Sequence, residues 1–220
     1  MIEKSTLKFL KELTKNNHKE WFDANRVQYE NARDNVSEFV QDILKYLTSI
    51  SMEYSALKPK DCMFRINRDV RFSKNKEPYK TNFGAYFSPG GKKSPMPGYY
   101  FHLEFDRAFL GGGIYLPEPS IVKKIRQEID YQQQDFRAII EDKKFVKLFG
   151  DLSQEHRLLN APKEYGKDHP MAAYLRLKSW FAVHDLTMEN ITKDKEMNKI
   201  QEVLDSLVPL NQFLQKALSD

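Results

Sequence analysis

The spacing of apolar residues changes near residue 63, and no other feature of this sequence limits the possible folds as strongly. Between Tyr29 and Leu47 the apolar positions recur every three or four residues, which indicates an amphipathic helix. From Met63 to Phe72 they alternate with polar positions, which indicates a strand with one buried face. We therefore expect helices first and a sheet after them.

Further strands are predicted because aromatic-rich segments follow, separated by turn-forming residues and short connectors that favour antiparallel pairing. These additional strands are residues 82–88, 99–106 and 109–116. Helical spacing returns from Pro119, residues 175–183 fit either a helix or a strand, and the last helix is expected to kink or break near Pro209. The predicted fold class is α+β, with an antiparallel central sheet of about four or more strands flanked by N-terminal and C-terminal helices.

The length and composition are those of an ordinary folded domain. A single hydrophobic core can span 220 residues, so we predict one domain over residues 1–220. No apolar run approaches the roughly 18 residues of a membrane span, and the charged N-terminus does not resemble a signal peptide. Cys62 is the only cysteine, which excludes an internal disulfide and fits a reducing compartment. We expect a soluble, cytoplasmic protein without membrane association, and the oligomeric state stays open.

Positive charge is concentrated in one part of the chain. Residues 60–93 contain nine Lys or Arg and three Asp or Glu, a balance of +6, while the whole chain carries only +4. The rest of the sequence is therefore slightly acidic. A local cationic patch indicates an anionic partner more strongly than a diffusely basic composition does.

Within this region the predicted strand places alternate residues on one face. Arg65, Asp69 and Arg71 would share that face, with roughly 7 Å between successive alternate positions. Two guanidinium groups so arranged can grip a phosphate or a carboxylate, with Asp69 orienting them, and lysines in the following loop can close over the same anion. The predicted ligand-binding residues are Arg65, Asp69, Arg71, Lys74, Lys76 and Lys80.

Arg68 falls on the opposite face of the same predicted strand, which we assign to the core. The apolar residues on that face are Phe64, Ile66, Val70 and Phe72. A buried guanidinium needs a partner, because an unpaired buried charge is costly. We therefore predict a structural role for Arg68, with Asp69, Glu104 or Asp106 as its partner.

His102 and Glu104 are the candidates for acid–base chemistry. They lie two residues apart on a predicted strand, where they could form a general acid/base pair or supply two metal ligands. One strand offers too few ligands for a metal ion, so we predict neither a metal site nor a cofactor. Catalytic residues are unknown at this point, and whether the chain is an enzyme stays open.

A long string in the cationic region resembles a known family. From Arg68 to Thr81 the chain reads Arg-Asp-x-Arg-Phe-Ser-Lys-x-Lys-x-Pro-Tyr-Lys-Thr, similar to the bacterial and fungal proteins grouped as Domain of Unknown Function 2461. Members often carry Asp where Asn75 stands. The resemblance implies a single domain and brings no activity, substrate or catalytic residue with it. Supporting matches are Asn16-Asn17, Trp21-Phe22, Tyr99-Tyr100, Gly111-Gly112-Gly113-Ile114-Tyr115, His169-Pro170 and Leu175-x-x-Lys178.

Three functions fit these observations. The first is binding, with or without chemical processing, of a small anionic and phosphorylated ligand at the predicted residues. The alternatives are a nucleic-acid-binding module, because aromatic residues interleave with the basic ones, and a structural or interaction domain without catalysis. A concave pocket at the motif favours the first function, an exposed cationic stripe with aromatics the second, and internal pairing of the arginines the third.

Overall fold

A computed structural model describes residues 1–166, 168–193 and 197–219. The strands are β1 (Phe83–Phe87), β2 (Gly98–Leu103), β3 (Ala108–Ile114) and β4 (Trp180–Leu186). They form one antiparallel sheet in the order β1-β2-β3-β4, which confirms the predicted α+β class. The helices are α1 (Lys4–Lys15), α2 (Lys19–Ala24), α3 (Arg26–Ile50), α4 (Pro59–Cys62), α5 (Pro119–Tyr131), α6 (Gln133–Ile140), α7 (Lys143–Phe149), α8 (Ala172–Leu175), α9 (Met188–Thr192) and α10 (Met197–Ser219). No helix within these described ranges is long and apolar enough to cross a membrane.

The first predicted strand differs from the structure. Residues 63–72 form no continuous strand and pair with neighbouring chain only through two isolated bridges. The alternating burial also fails there, since Ile66 is buried but Phe72 is 96% exposed. Beyond Asn67 the segment has no bridge to any described residue, so the strand that would have placed Phe72 on a buried face does not form. The fourth strand is instead β4. Of the segment 175–183, which fitted either a helix or a strand, residues 180–183 belong to β4 and Leu175 ends α8.

The chain divides into two compact units. The first comprises Met1–Ser94, Tyr100–Leu110 and Asp185–Gln201, and the second comprises Pro95–Tyr99, Gly111–His184 and the residues from Glu202 onward. Each unit contains part of the sheet and its own buried apolar residues. The expectation of one domain over the whole chain stays a prediction.

In the first unit, the apolar stripe of α3 packs against the sheet. The stripe is buried from Val36 to Leu47, as the spacing of its apolar residues predicts. The Phe39 ring centroid lies 4.9 Å from that of Phe101 on β2, and α3 also contacts β1. Burial of these large side chains contributes most of the local stability. As a result α3 is held beside the strand at one edge of the sheet, where the site described below is found.

In the second unit, an aromatic cluster joins three helices. The Phe136 ring of α6 lies 5.2 Å from Phe213 of α10 and 5.3 Å from Tyr174 of α8. Helix α5 begins at Pro119, where a proline needs no hydrogen-bond acceptor for its nitrogen.

Helix α10 continues through Pro209, so of the kink or break expected there, a break does not occur. A proline inside a helix removes one backbone hydrogen bond. Pro209 is exposed, whereas Leu207 and Leu210 on either side are fully buried. Packing of these neighbours therefore holds the helix across the missing bond.

The glycines of β3 allow close approach by β4. A Cβ atom added to Gly113 would collide with the carbonyl oxygen of Trp180, and the Gly113 φ of +120° strains any residue with a side chain. A Cβ atom on Gly111 would collide with the ring of Phe181. Close packing therefore explains glycine residues inside a strand, where they are otherwise unfavourable.

Candidate functional site

Residues 63–85 fold back on themselves as an irregular hairpin, which we call the basic hairpin. Its two arms are joined by antiparallel bridges between Met63 and Ala85 and between Asn67 and Tyr79. The bridged positions are four residues apart on the first arm and six apart on the second. The second arm therefore bulges by two residues relative to the first.

The first arm also extends the sheet beyond its edge. The Phe64 amide donates to the Gly84 carbonyl of β1 over 2.9 Å, and the Lys80 amide donates to the Ile66 carbonyl over 2.8 Å. Residues 69–77, which lie beyond the second bridge, form the hairpin tip.

Tyr79 anchors the second arm to the N-terminal helices. The Asn17 side chain donates to the Tyr79 carbonyl over 2.9 Å and accepts from the Tyr79 amide over 3.1 Å. The Tyr79 ring stacks on Phe22 of α2 with a centroid distance of 3.9 Å. These contacts hold the second arm beside the N-terminal helices, and the hairpin tip extends from this anchored position.

Arg68 ties the base of the hairpin tip together. Its guanidinium donates to the Glu77 carbonyl over 3.2 Å and to the Ser73 hydroxyl over 3.4 Å. The same group lies 3.7 Å from the Glu77 carboxylate, and its side chain is only 25% exposed. The partner therefore differs from the three carboxylates considered from the sequence, because the fold of the hairpin brings Glu77 opposite Arg68.

Arg71 is held by a bidentate ion pair with Asp69. Its Nε donates to Oδ1 over 2.9 Å, and its Nη2 donates to Oδ2 over 2.7 Å. Hydrogen bonds from Arg71 hold the pKa of Asp69 below its ordinary value, with a smaller contribution from the charge of Arg65. Asp69 thus orients Arg71 and offsets its charge.

The rest of the hairpin tip faces solvent. Phe72 is 96% exposed, with the Arg71 guanidinium 5.9 Å from its ring centroid. The Lys76 ammonium donates to the Val70 carbonyl over 3.1 Å, while Lys74 is exposed and forms no hydrogen bond with any described residue. The tip is a cationic loop with an aromatic side chain at its surface.

A cleft of about 690 Å³ lies between α3 and the first arm of the hairpin, and we call it the cationic cleft. Its cationic residues are Arg33, Lys60, Arg65, Lys92 and Lys93, and its acidic residue is Asp34. Aromatic residues line the same space, namely Tyr29, Phe64 and Phe83. Positive groups and apolar walls therefore share one concavity.

The cations of this cleft are only partly neutralised. Asp34 accepts from Nε and Nη2 of Arg33 over 3.0 and 2.8 Å, so its charge is already committed. Lys92 donates to the backbone carbonyl of Lys60, which holds its ammonium in place without cancelling its charge. Arg65 is exposed and donates no hydrogen bond to any residue that the structure describes. The cleft therefore keeps a net positive charge.

Lys80, on the second arm, adds a further positive charge close to the cleft. Burial, and then the charge of Arg65, lower the pKa of Lys80 below its ordinary value. Its ammonium lies 5.5 Å from the ring centroid of Phe64, a cleft residue. A like charge disfavours the charged form of its neighbour, and groups with perturbed pKa values cluster at functional sites.

The predicted ligand-binding residues thus separate into two groups. Arg65 lines the cationic cleft and Lys80 lies close to it, whereas Asp69, Arg71, Lys74 and Lys76 belong to the hairpin tip.

Sequence reasoning missed four of the cleft's cations, Arg33, Lys60, Lys92 and Lys93. The last three lie at the ends of the cationic region, so the charge map already contained them. Tyr29, Arg33 and Ser37 recur at intervals of four on α3, which places them on one helix face.

His102 on β2 contacts both Glu104, just beyond the end of that strand, and Tyr100. The His102 Nε2 lies 3.0 Å from a Glu104 oxygen, and its Nδ1 lies 3.0 Å from the Tyr100 hydroxyl. All three belong to the first unit, as the cationic cleft does.

The described part of the structure does not support a metal site or a cysteine nucleophile. Within the described ranges, no three His, Cys, Asp or Glu side chains come together in a group that could hold a metal ion. Cys62 is fully buried, and burial raises the pKa of its thiol to about 12, so a thiolate nucleophile is disfavoured.

Comparison with protein families matches residues 5–213 to the family described as "Conserved hypothetical protein (DUF2461)". The chain belongs to this family. A search of curated protein sequences finds no match to the chain.

The string that carries the resemblance to the DUF2461 family runs from Arg68 to Thr81, within the basic hairpin. It spans the tip and the Tyr79 anchor, and its supporting matches include Asn17 and Phe22, which hold Tyr79 in place. In this DUF2461 member, Asn75 donates to and accepts from Glu77, so it contributes to the shape of the tip.

Proposed function

We propose that the cationic cleft binds a small anionic ligand, with a phosphorylated molecule as the best match. The observation that supports this most directly is the charge balance of the cleft, which has five cationic side chains and one carboxylate already paired with Arg33. Charge-assisted hydrogen bonds to phosphate oxygens are among the strongest polar contacts in proteins. Arg65 in particular offers a guanidinium that no described residue engages.

The walls of the cleft narrow the ligand class. Tyr29, Phe64 and Phe83 provide apolar and aromatic surface. The volume of about 690 Å³ falls in the range of roughly 300–1,000 Å³ typical of small-molecule sites. A ligand with an anionic group at one end and a flat or apolar body suits such a site better than a bare ion.

Arg65 and Lys80 supply the electrostatic reason for binding. Burial, and to a smaller extent the charge of Arg65, lower the pKa of Lys80, so its charged form is less favourable here than in water. An anion between or beside them favours that charged form while it gains their hydrogen bonds. We therefore assign the anionic end of the ligand to the part of the cleft next to Arg65.

Calorimetric titration with inorganic phosphate, pyrophosphate and a set of phosphorylated metabolites tests the proposal. We expect Arg65→Gln to weaken binding by about tenfold or more, since charged hydrogen bonds contribute about 1.5–3 kcal/mol. Arg71→Gln is the matched control, because it removes the same group from the tip, and it should change affinity by less than about twofold. A second matched pair is Lys93→Ala in the cleft and Lys74→Ala in the tip.

Equal effects of Arg65→Gln and Arg71→Gln would contradict a site in the cleft. Absence of binding by every phosphorylated probe at low salt would contradict the proposal as a whole.

Nucleic-acid binding is the second candidate, and the hairpin tip supports it. An aromatic side chain that is 96% exposed beside an arginine is suited to stacking on a base, while Lys74 can contact phosphate. A single-stranded oligonucleotide that binds with a steep salt dependence, and loses affinity in Phe72→Ala but not in Arg65→Gln, would favour this candidate. The cytoplasmic location expected from the sequence stays a prediction.

A further inference from the structure

Three hydrogen-bonded side chains alternate along one face of β2 and its end. Tyr100, His102 and Glu104 are two residues apart, so they project to the same side of the sheet. The Tyr100 hydroxyl lies 3.0 Å from His102 Nδ1, and His102 Nε2 lies 3.0 Å from Glu104 Oε1. A phenol, an imidazole and a carboxylate therefore form one continuous chain.

The carboxylate determines how the protons are arranged. Glu104 can only accept when ionised, so His102 places its proton on Nε2 and donates to Glu104. Nδ1 then carries the free lone pair, and the Tyr100 hydroxyl donates to it. The Asn82 amide lies 3.4 Å from the same nitrogen, a longer and weaker contact. The imidazole is thus oriented with its basic nitrogen toward the phenol.

The surroundings keep this chain in place. The His102 ring stacks on Phe109 of β3 with a centroid distance of 4.6 Å, and the His102 side chain is only 15% exposed. A Cβ atom added to Gly84 would lie 2.7 Å from the Tyr100 oxygen, so the glycine leaves room for the hydroxyl. Orientation by stacking and by a third group is what a catalytic acid–base unit requires.

We propose that Tyr100, His102 and Glu104 form a proton relay in which Tyr100 exchanges a proton with a substrate. In the forward step, a hydroxyl or an acidic C–H group of the substrate gives its proton to the Tyr100 oxygen. The original Tyr100 proton passes to Nδ1 of His102 in the same step. The substrate becomes an anion, the phenol is restored, and His102 becomes an imidazolium paired with Glu104. No external oxidant or co-reactant is needed.

Burial of Tyr100 and the contact between His102 and Glu104 indicate which group of the relay becomes charged. Desolvation, and to a smaller extent Glu104, raise the pKa of Tyr100 to about 12, so a phenolate is an unfavourable resting form. Glu104 Oε1 lies 3.0 Å from His102 Nε2, so an imidazolium formed in this step keeps a charge-assisted hydrogen bond to the carboxylate. The phenol therefore transfers the proton and His102 stores it.

Phe64 connects the relay to the cationic cleft. Its side chain lines the cleft, and its ring centroid lies 6.3 Å from that of Tyr100. The class of substrate rests on the proposed function, because an anion held near Arg65 would place its remaining atoms toward Phe64. The relay geometry itself does not depend on that binding.

A second Tyr–His pair provides an internal control. The Tyr115 hydroxyl lies 3.1 Å from His156 Nε2, but no carboxylate among the described residues is hydrogen-bonded to this histidine. Tyr115 is 53% exposed, and so reagents reach it more easily than they reach Tyr100. Exposure alone predicts faster reaction at Tyr115.

The relay can be tested by labelling the intact chain with phenylmethanesulfonyl fluoride and measuring each tyrosine by peptide mass spectrometry. The phenol oxygen forms a bond to sulfur, the S–F bond breaks, fluoride leaves, and His102 takes the proton. We expect Tyr100 to react about tenfold faster than Tyr115 or more, within the range that general acid–base assistance supplies. Glu104→Gln should reduce the Tyr100 rate severalfold and His102→Ala should remove the advantage, with Tyr115 unchanged.

Added imidazole separates a chemical role of His102 from a structural one. In His102→Ala it should restore the ratio of Tyr100 to Tyr115 labelling, because the free base can occupy the vacated space beside Phe109. A Tyr100 rate at or below that of Tyr115, or labelling that does not respond to Glu104→Gln and to imidazole, would overturn the relay. Labelling is measured without any phosphorylated ligand and anion binding by calorimetry, so failure of anion binding and failure of the relay are observed separately.

Discussion

Replacing Arg68 with alanine should destabilise the chain more than replacing Arg65. Arg68→Ala removes the hydrogen bond from the guanidinium to the Glu77 carbonyl at 3.2 Å, which contributes about 1.5–2 kcal/mol, the lower end of the range for a charged donor. The ion pair at 3.7 Å to a half-exposed Glu77 adds less than about 1 kcal/mol. The Ser73 contact at 3.4 Å is near the limit of a hydrogen bond and adds little. The expected loss in Arg68→Ala is therefore about 2 kcal/mol.

Arg65→Ala removes an exposed side chain without a hydrogen-bond partner among the described residues, so it should cost less than about 0.5 kcal/mol. For a chain of 220 residues, the Arg68→Ala loss corresponds to a fall of about 4–8 °C in Tm. Thermal and urea unfolding monitored by circular dichroism measure this difference. Arg68→Lys keeps the charge but loses the planar guanidinium that donates in two directions, so its stability should lie between those of the wild type and Arg68→Ala.

Limited proteolysis detects local opening of the hairpin tip, which global unfolding experiments would miss. Chymotrypsin cleaves after exposed aromatic residues, and Phe72 is accessible at the tip. Loss of Arg68 should increase the rate of cleavage there, because the base of the tip is no longer tied, while Arg65→Ala should not. Equal unfolding midpoints and equal cleavage rates for the two alanine variants would refute the structural role of Arg68.

Two further predictions concern stability. Gly113→Ala should cost about 3–5 kcal/mol because the new methyl group meets the Trp180 backbone, whereas Gly150→Ala, also at positive φ but with no atom within 4 Å, should cost about 1–2 kcal/mol; similar urea midpoints for the two would contradict the close approach. Pro209→Ala should raise stability by about 1–3 kcal/mol, since it restores an amide donor at an exposed position of α10, and an unchanged or lower Tm would contradict this reason.

Helical spacing predicted α3 well because a helix satisfies its own backbone, so its buried face depends only on which side meets the core. The alternation from Met63 to Phe72 was less informative. A strand is defined by its neighbours, and here partner chain lies beside only a few positions of the segment. Assigning Phe72 to the core was wrong for this reason. In contrast, β4 could be recognised as a strand only once β3 was known to lie beside it.

For the candidate site too, the sequence located the region but not the residues that long-range packing brings to it. The charge map pointed to the correct region, since Lys60, Arg65, Lys92 and Lys93 all lie within it. Arg33 could not be associated with them, because α3 reaches the hairpin only through long-range packing. The spacing placed Tyr100 on the same strand face as His102 and Glu104, but such spacing does not reveal which side chains are hydrogen-bonded.

The inert environment of Cys62 has a practical consequence for spectroscopy. The only thiol of the chain is fully enclosed and rarely ionised, so maleimide and methanethiosulfonate reagents find almost nothing to modify in the native protein. A cysteine placed at Lys74 would then be the single accessible thiol, without any need to delete the native one. A fluorophore or spin label attached there reports on the hairpin tip without signal from a second labelled thiol. It therefore shows whether a ligand changes the motion of the tip.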